Sequence, residues 1–412
     1  MERADLVIVG GGAAGLAAAV MAGQAAPNSR IVLLEKGARV GKKLLATGNG
    51  TCNISHQNAS VDSYHGGGAQ RVRDALARFS WEDACRFFRS IGVETTVRED
   101  GRIYPLCTSA AAVLDCLRIA AANHADIRCE SAVTALRPTA NGVTVCTADG
   151  EIAAGHVLVA VGGAASPSCG GSSDGYRLLT DLGHTRTPLF PSIVQLRTDT
   201  RFVRAVKGLR VDGTVSLMLN GHRLASHTGE ILFAEYGLSG PAVMQISRAA
   251  GEWERRKQGT LTAVVDLLPT ISADELSALL SARREALATT PLEDFLTGLF
   301  QRRIGQTVLR MAGALPLDRR SDSLTDRELS AVVCAIKEWA LDVTGTQGFG
   351  GAQVTAGGVT VTEFDENLIS RRCPHVSAAG EVLDVDGDCG GYNLQWAWSS
   401  AATAVEGWRK KR

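Results

Sequence analysis

The chain has ten cysteines but no Cys-x-x-Cys pair and no Cys/His grouping at zinc spacing. A disulfide-stapled secreted scaffold and a zinc module are both disfavoured, and a reduced, cytoplasmic set of thiols is expected. Net charge is lacking too: 43 Lys plus Arg balance 43 Asp plus Glu, so no global field draws the chain to nucleic acid or anionic lipid. Met1–Asp5 has neither the basic region nor the small-residue cleavage site of a secretory signal, so export is not expected. One stretch, Leu6–Gly23, runs 18 residues without a charge. It carries five glycines and parses as strand, turn and Ala-rich helix, so no membrane contact is expected. What the chain does have is glycine: 45 residues, in clusters, well above the ~7% of average proteins. Such clusters mark places where backbone approaches a ligand closely. Hydrophobic residues at 45% and charged residues at 21% describe a globular protein. At ~150 residues per domain, 412 residues suggest two to three domains.

The opening reads as a β-α-β unit, with Asp5–Val9 as a strand, Ala13–Ala25 as a helix and Arg30–Leu34 as a second strand ending at Glu35. An amphipathic helix is predicted over Ala69–Ser90 and another over Ser109–Asn123. Short β-rich runs follow to Val161, with turn signals at Asn141-Gly142 and Asp149-Gly150. From Thr185 to Leu268 the texture is alternating β, with few helix signals. Asp274–Ala288, Pro291–Ala312 and Thr325–Leu341 then carry helical spacing. From Thr344 the glycine-rich texture returns, and Asn393–Trp408 reads as a closing helix. The expectation is an α/β protein with a Rossmann-like domain in two pieces, 1–184 and 344–412. It is interrupted by an inserted β-barrel-like domain at 185–270 and a small helical subdomain at 271–343. Internal repeats and low-complexity tracts are absent.

Gly10-x-Gly12-x-x-Gly15 follows a strand and opens a helix, the context in which this spacing carries meaning. Gly10 permits the turn, Gly12 lets backbone N–H groups approach a pyrophosphate, and Gly15 lets helix and sheet pack, with Ala13 and Ala14 supplying first-turn amides. Glu35, twenty residues past Gly15, places a carboxylate where a ribose diol donates hydrogen bonds. This much allows FAD or NAD equally. Three later features favour FAD. Val157–Gly163 is an apolar strand ending at Gly162-Gly163, Gly380-Glu381 follows another strand, and there is only one complete dinucleotide motif.

The blocks VGKKLLATGNGTCNIS (40–55), GGAASPSCGGSSDGYRLLTDLGHT (162–185), GEILFAEYGLSGPAVMQIS (229–247), TGTQGFGGAQVTAGGV (344–359) and AAGEVLDVDGDCGGYNLQWAWSSA (378–401) resemble the BaiN/RdsA-like flavoproteins. That family is often labelled NAD(P)/FAD-dependent oxidoreductase or aminoacetone oxidase family FAD-binding enzyme, and the resemblance spans nearly the whole chain. It implies a two-dinucleotide-binding type FAD domain, non-covalent FAD, NAD(P)H as transient reductant, and reduction of an activated C=C bond. The C=C is a steroid enone in some members and a 23S ribosomal RNA uracil in others. The label alone suggests a third activity, oxidation of a small amine by O2, and a flavin-binding protein without turnover is the non-enzymatic alternative. Thr51 stands where many members carry Arg, Gln195 where Pro or an apolar residue is usual, and Cys169 where Thr is common, so the substrate does not transfer with the fold.

Further cofactor contacts are expected at Lys36 after Glu35, Lys43, the turn at Thr47, Gly48 and Asn49, Val133, and Gly391, Asn393 and Leu394 where the closing helix opens. Asn393 is expected to start that helix, with ordinary capping as its other reading. Cys52 is the candidate proton donor at the flavin face, with Cys389 and Tyr392 as rivals, although buried thiols usually only pack. Asp384, Asp386 and Asp388 alternate as in a calcium loop but lack its remaining ligands, so no metal is expected. Residues 185–260 hold 11 Lys/Arg against 6 Asp/Glu, including Arg201, Arg204, Lys207 and Arg210. That stretch is a possible contact for rRNA or an acidic metabolite. Oligomeric state is not legible.

Overall fold

The computed structural model describes all 412 residues. They form two compact units, one from Met1–Phe190 with Gln353–Arg412 and one from Pro191–Ala352.

The first unit is built on a sheet whose centre is the opening strand, Glu2–Val9. It pairs in parallel with Ile31–Leu34 on one side and Gly150–Val159 on the other, Val7 lying opposite both Val32 and Val157. Asp126–Arg128 and Val376–Ala378 extend the parallel part, and the antiparallel strands Gly142–Thr147 and Val133–Thr139 complete it. Leu6–Val9 and Ile31–Leu34 are buried throughout, the pattern of strands covered on both faces. The predicted Asn141-Gly142 and Asp149-Gly150 turns close the two hairpins, Thr139 facing Gly142 and Thr147 facing Gly150. The helix Ala13–Ala25 is Ala-rich, so its backbone packs close to the closing helix Tyr392–Lys411. Trp396 and Trp398, both buried, donate their indole N–H groups to Gly380 O at 3.1 Å and Ile54 O at 2.9 Å, so burying them leaves no unpaired donor. The predicted helix over 69–90 is two helices, Ala69–Arg78 and Trp81–Ser90. Ser80 interrupts them because its side chain and that of Asp83 form a capping box.

The second unit is a closed six-stranded barrel, in the order Leu196–Thr198, Gly237–Ser239, His222–Ala234, Arg210–Leu219, Leu261–Asp266 and Trp339–Thr346, the last pairing with the first. Two expectations change here. Pro241–Arg256, inside the stretch read as nearly all β, is a 16-residue helix. Gly240 precedes it, Pro241 occupies its first position, and Ala242, Val243, Ile246 and Ala250 form its buried stripe. The helix expected to reach Leu341 is Asp326–Lys337, and Trp339–Thr346 is the strand that closes the barrel. Trp339, Leu341 and Val343 point inward and alternate with exposed Ala340, Asp342 and Thr344. The helices Ala273–Ala286, Arg302–Met311 and Asp326–Lys337 are thus an excursion between two barrel strands, and their buried residues join the barrel in one core. No helix is long and apolar enough to cross a membrane, and Leu6–Gly23 is strand, turn and helix.

Candidate active site and cofactor cradle

The glycine turn sits at the carboxyl end of the central strand. Gly10 has φ +107°, and a Cβ there would lie 2.4 Å from Ala160 O. One on Gly15 would lie 1.9 Å from Gly10 O. Neither position tolerates a side chain. At Gly12 a Cβ would meet nothing within 4 Å, so this backbone faces outward. Gly12 caps the helix without a side-chain hydrogen bond, which leaves the first-turn amides at Ala13 and Ala14 with no side-chain acceptor. Glu35 Oε2 accepts from Gly11 N at 2.8 Å and its Oε1 from Gly37 N at 2.7 Å, fixing the carboxylate beside the turn with lone pairs to spare. Lys36 is exposed. Val133 opens the strand just past Ser131, whose amide donates to Glu35 O at 2.9 Å.

Gly380, with φ +76°, brings its Cβ position within 3.1 Å of the Ala14 methyl, which joins the late glycine-acid pair to the first turn. Glu381 Oε2 accepts from Lys43 Nζ at 2.7 Å, and its Oε1 accepts from Thr355 N at 2.8 Å. Lys43, expected to face the cofactor, is therefore held by a carboxylate. Gly163 packs against the same group, its Cβ position 2.7 Å from Glu381 Oε1, and Gly162 beside it, at φ +73°, faces open space.

A second cluster forms where the TGNG turn meets the closing helix. Gly48, Asn49 and Gly50 are all left-handed, at φ +56°, +53° and +86°, and Cys52 follows at +58°. Two non-glycine residues held there cost of order 1–2 kcal/mol each. Gly391, at φ +100°, precedes the closing helix, and its Cβ position lies 2.4 Å from Ser55 O and 2.8 Å from Asn53 Oδ1. The helix has no side-chain cap. Asn393, expected to open it, lies inside the first turn and points away: its Oδ1 accepts from Gly387 N at 2.8 Å and its Nδ2 donates to Gly387 O at 2.7 Å. Leu394 is half-buried against the core.

Of the three candidate proton donors, Cys52 is fully enclosed, and burial pushes its thiol up to about 12. Its side chain packs within the buried core of the first unit. Cys389 and Tyr392 stand at a more open place, both shifted up by burial; the Arg102 charge draws Cys389 back, and a hydrogen bond with Ser63 and then the Arg102 charge draw Tyr392 back. Tyr392 stacks on His56 with ring centroids 4.7 Å apart, and both Tyr392 and Arg102 crowd the Cβ position of Gly390, at 3.3 and 3.5 Å. His56, Arg102 and Tyr104 share one face of the small sheet Ser55–His56, Arg102–Pro105 and Thr95–Val97. The Arg98 guanidinium lies 3.7 Å over the Tyr104 ring. None of these four was singled out from sequence. They lie outside any spaced motif, and only the strand pairing assembles them.

In the second unit, Lys207 pairs with Glu235 and Arg210 with Glu230 at 3.0 Å, while Arg201 lies over the Phe202 ring at 5.1 Å. Half of the basic stretch expected to meet an acidic partner is therefore balanced by carboxylates. No cluster of three or more His, Cys, Asp or Glu residues that could hold a metal ion is present.

The family model described as HI0933-like protein Rossmann domain matches residues 4–407. The chain belongs to this family. HI0933-like proteins of this type are FAD-dependent oxidoreductases with a Rossmann-type FAD-binding domain. Among its relatives is the 3-dehydro-bile acid delta(4,6)-reductase of Clostridium scindens, 35% identical, the match covering 96% of this chain and 97% of that enzyme. The ribosomal RNA dihydrouridine synthase of Escherichia coli is 28% identical over 97% of each. In fold the chain is similar to the 3-ketosteroid delta1-dehydrogenase of Sterolibacterium denitrificans, with a TM-score of 0.54, 12% identity and full coverage of both chains.

The residues present fit the FAD of an HI0933-like enzyme. An outward-facing Gly12, an uncapped helix start and a fixed Glu35 suit a pyrophosphate and a ribose. At the other cluster the uncapped closing helix offers donors, and Asn53 Oδ1, buried beside it, has no hydrogen-bond partner. That combination of donors and one acceptor complements the imide edge of a flavin ring.

Proposed function

We propose that this protein is an FAD-dependent reductase that takes two electrons from NAD(P)H and saturates a C=C bond conjugated to a carbonyl. The observation that carries this reading is full-length similarity, at 35% identity, to a 3-dehydro-bile acid delta(4,6)-reductase. When bound, FAD supplies a carrier that accepts a hydride from the nicotinamide and passes it to the β-carbon of the enone.

The chain's own residues do the rest. Gly10, Gly12, Ala13, Ala14 and Gly15 hold the pyrophosphate and Glu35 the ribose. The uncapped start of the closing helix, at Gly391, Tyr392 and Asn393, stabilises negative charge near the flavin ring. Gly162, Gly380 and Glu381 bound the middle of the cradle, and Lys43, paired with Glu381, sets the direction of that carboxylate. Hydride delivery leaves an enolate, which takes one proton at its α-carbon. Tyr392 is the donor this arrangement favours. His56 stacks on its ring, and Arg102 supplies positive charge as the phenolate develops. Cys389 is the nearest alternative, and Cys52 is assigned to packing.

Reduction of an rRNA uracil is the runner-up, supported by the 28% identical relative and weakened by the carboxylates that pair with Lys207 and Arg210. Anaerobic incubation of the purified protein with NADH or NADPH and a 4,6-dien-3-one steroid tests the proposal. Nicotinamide consumption should match loss of the dienone chromophore, with a product two mass units heavier. Turnover on a 23S rRNA fragment with none on dienones would favour the runner-up, and turnover with an amine and O2 alone would favour an oxidase.

A further inference from the structure

The sequence TGNGTCN forces Asn53 inward. Left-handed backbone at Asn49 and Cys52 reverses the chain twice within four residues and delivers the Asn53 amide against the first turn of the closing helix. There it is 91% buried by the measure of its 9% exposure, and Oδ1 has no hydrogen-bond partner. That oxygen is 2.8 Å from the Cβ position of Gly391, the residue that caps the helix without a side-chain bond. Its neighbours there do not supply a donor. Ser55 offers Gly391 only a carbonyl, and its hydroxyl donates to Gln395 Oε1 at 2.6 Å. The Trp398 indole N–H is taken by Ile54 O. A buried acceptor left unpaired is costly, and native proteins leave few of them. Packing alone would be served by an aliphatic residue of the same size.

Two unsatisfied features therefore meet at one place: a row of helix amides without an acceptor and a carboxamide oxygen without a donor. A carbonyl flanked by an N–H, the imide pattern of a pyrimidine ring, satisfies both at once. Resting on the FAD reading above, we infer that Asn53 is the residue that recognises the flavin's imide N–H, its carboxamide oxygen accepting from flavin N3 while the helix amides hold the adjoining carbonyl. The contact selects an unmodified pyrimidine edge, and Gly391 is glycine so that the amide can reach the helix start.

The test is a ligand cycle read by quenching of flavin fluorescence on apoprotein, without turnover. FAD and N3-methyl-FAD, which lacks the donor, are titrated into the parent and into Asn53→Ala. The parent should bind FAD about 10- to 100-fold more tightly than the methylated analogue. In Asn53→Ala that ratio should fall toward one, FAD itself binding about tenfold more weakly. Asn53→Asp, which still presents an acceptor, should keep the discrimination and shift the bound flavin's reduction potential downward, because a carboxylate disfavours electron uptake. Thermal unfolding of the three apoproteins separates loss of the contact from loss of the fold. A ratio unchanged by Asn53→Ala in a folded variant overturns the assignment while leaving FAD binding intact. A parent that binds neither flavin overturns the cofactor reading itself, and this inference with it.

Discussion

Sequence favours Cys52 as the acid with Tyr392 as a rival, the site favours Tyr392, and their variants should part accordingly. Tyr392→Phe removes the proton but keeps the ring stacked on His56, so FAD uptake should hold while the rate of enone reduction falls about 10²- to 10⁴-fold. Cys52→Ala leaves a small core cavity, costing about 1 kcal/mol in denaturant unfolding with the rate unchanged. Two other buried groups contribute to stability against pH. His156, hydrogen-bonded through Nε2 to Ser377 Oγ at 3.0 Å, has its pKa pushed from 6.5 to about 3, chiefly by burial. The unfolded chain binds that proton first, so its stabilising contribution is present above pH 6.5 and is lost as pH falls toward 3. Asp384 is shifted the other way, from 3.8 to about 6, mainly by burial and against backbone donors at Val361 and Gly67. Its folded form takes the proton first, so its contribution is complete below pH 3.8 and is lost as pH rises through about 6. The two oppose each other between pH 4 and 6. Relative to the parent, His156→Asn should lose less stability on acidification through this window and Asp384→Asn should lose more, each by roughly 2 kcal/mol in urea midpoints converted to free energy.

Elements show why some of the molecule could be read and some could not. The β-turn-α unit at the amino terminus was legible because each glycine answers one steric demand. Gly15→Ala should accordingly abolish FAD uptake, since its new methyl would sit 1.9 Å from Gly10 O, and dialysis against FAD followed by an absorbance spectrum checks this. The hairpin turns were legible for the same reason, Gly142 and Gly150 both holding positive φ. The barrel's last strand was not. Trp339 to Val343 alternates cleanly, but it follows a helix after one residue, and its pairing partners Leu196–Thr198 and Leu261–Asp266 lie far back in the chain. The helix Pro241–Arg256 had its start signal in Gly240-Pro241, outweighed by the β texture on either side. In the site, the dinucleotide residues were visible as spacing. Asn53, His56, Arg98 and Arg102 became visible only through the reversals and strand pairs that carry them inward.

At the scale of the molecule, every residue assigned to FAD lies in the unit formed by Met1–Phe190 and Gln353–Arg412, which has its own buried core. Within it, Thr187 N donates to Gly358 O at 2.8 Å, so the outgoing and returning segments run side by side. A chain in which a short Gly/Ser linker replaces Pro191–Ala352 should fold and take up FAD with affinity within about tenfold of the parent. The reaction as a whole is tested most directly by one anaerobic spectrophotometric titration. NAD(P)H should bleach the flavin of the purified protein, and a conjugated 4,6-dien-3-one should then restore the colour stoichiometrically. A protein that stays colourless with added FAD, or a bleached flavin restored by O2 and untouched by the dienone, would contradict the account.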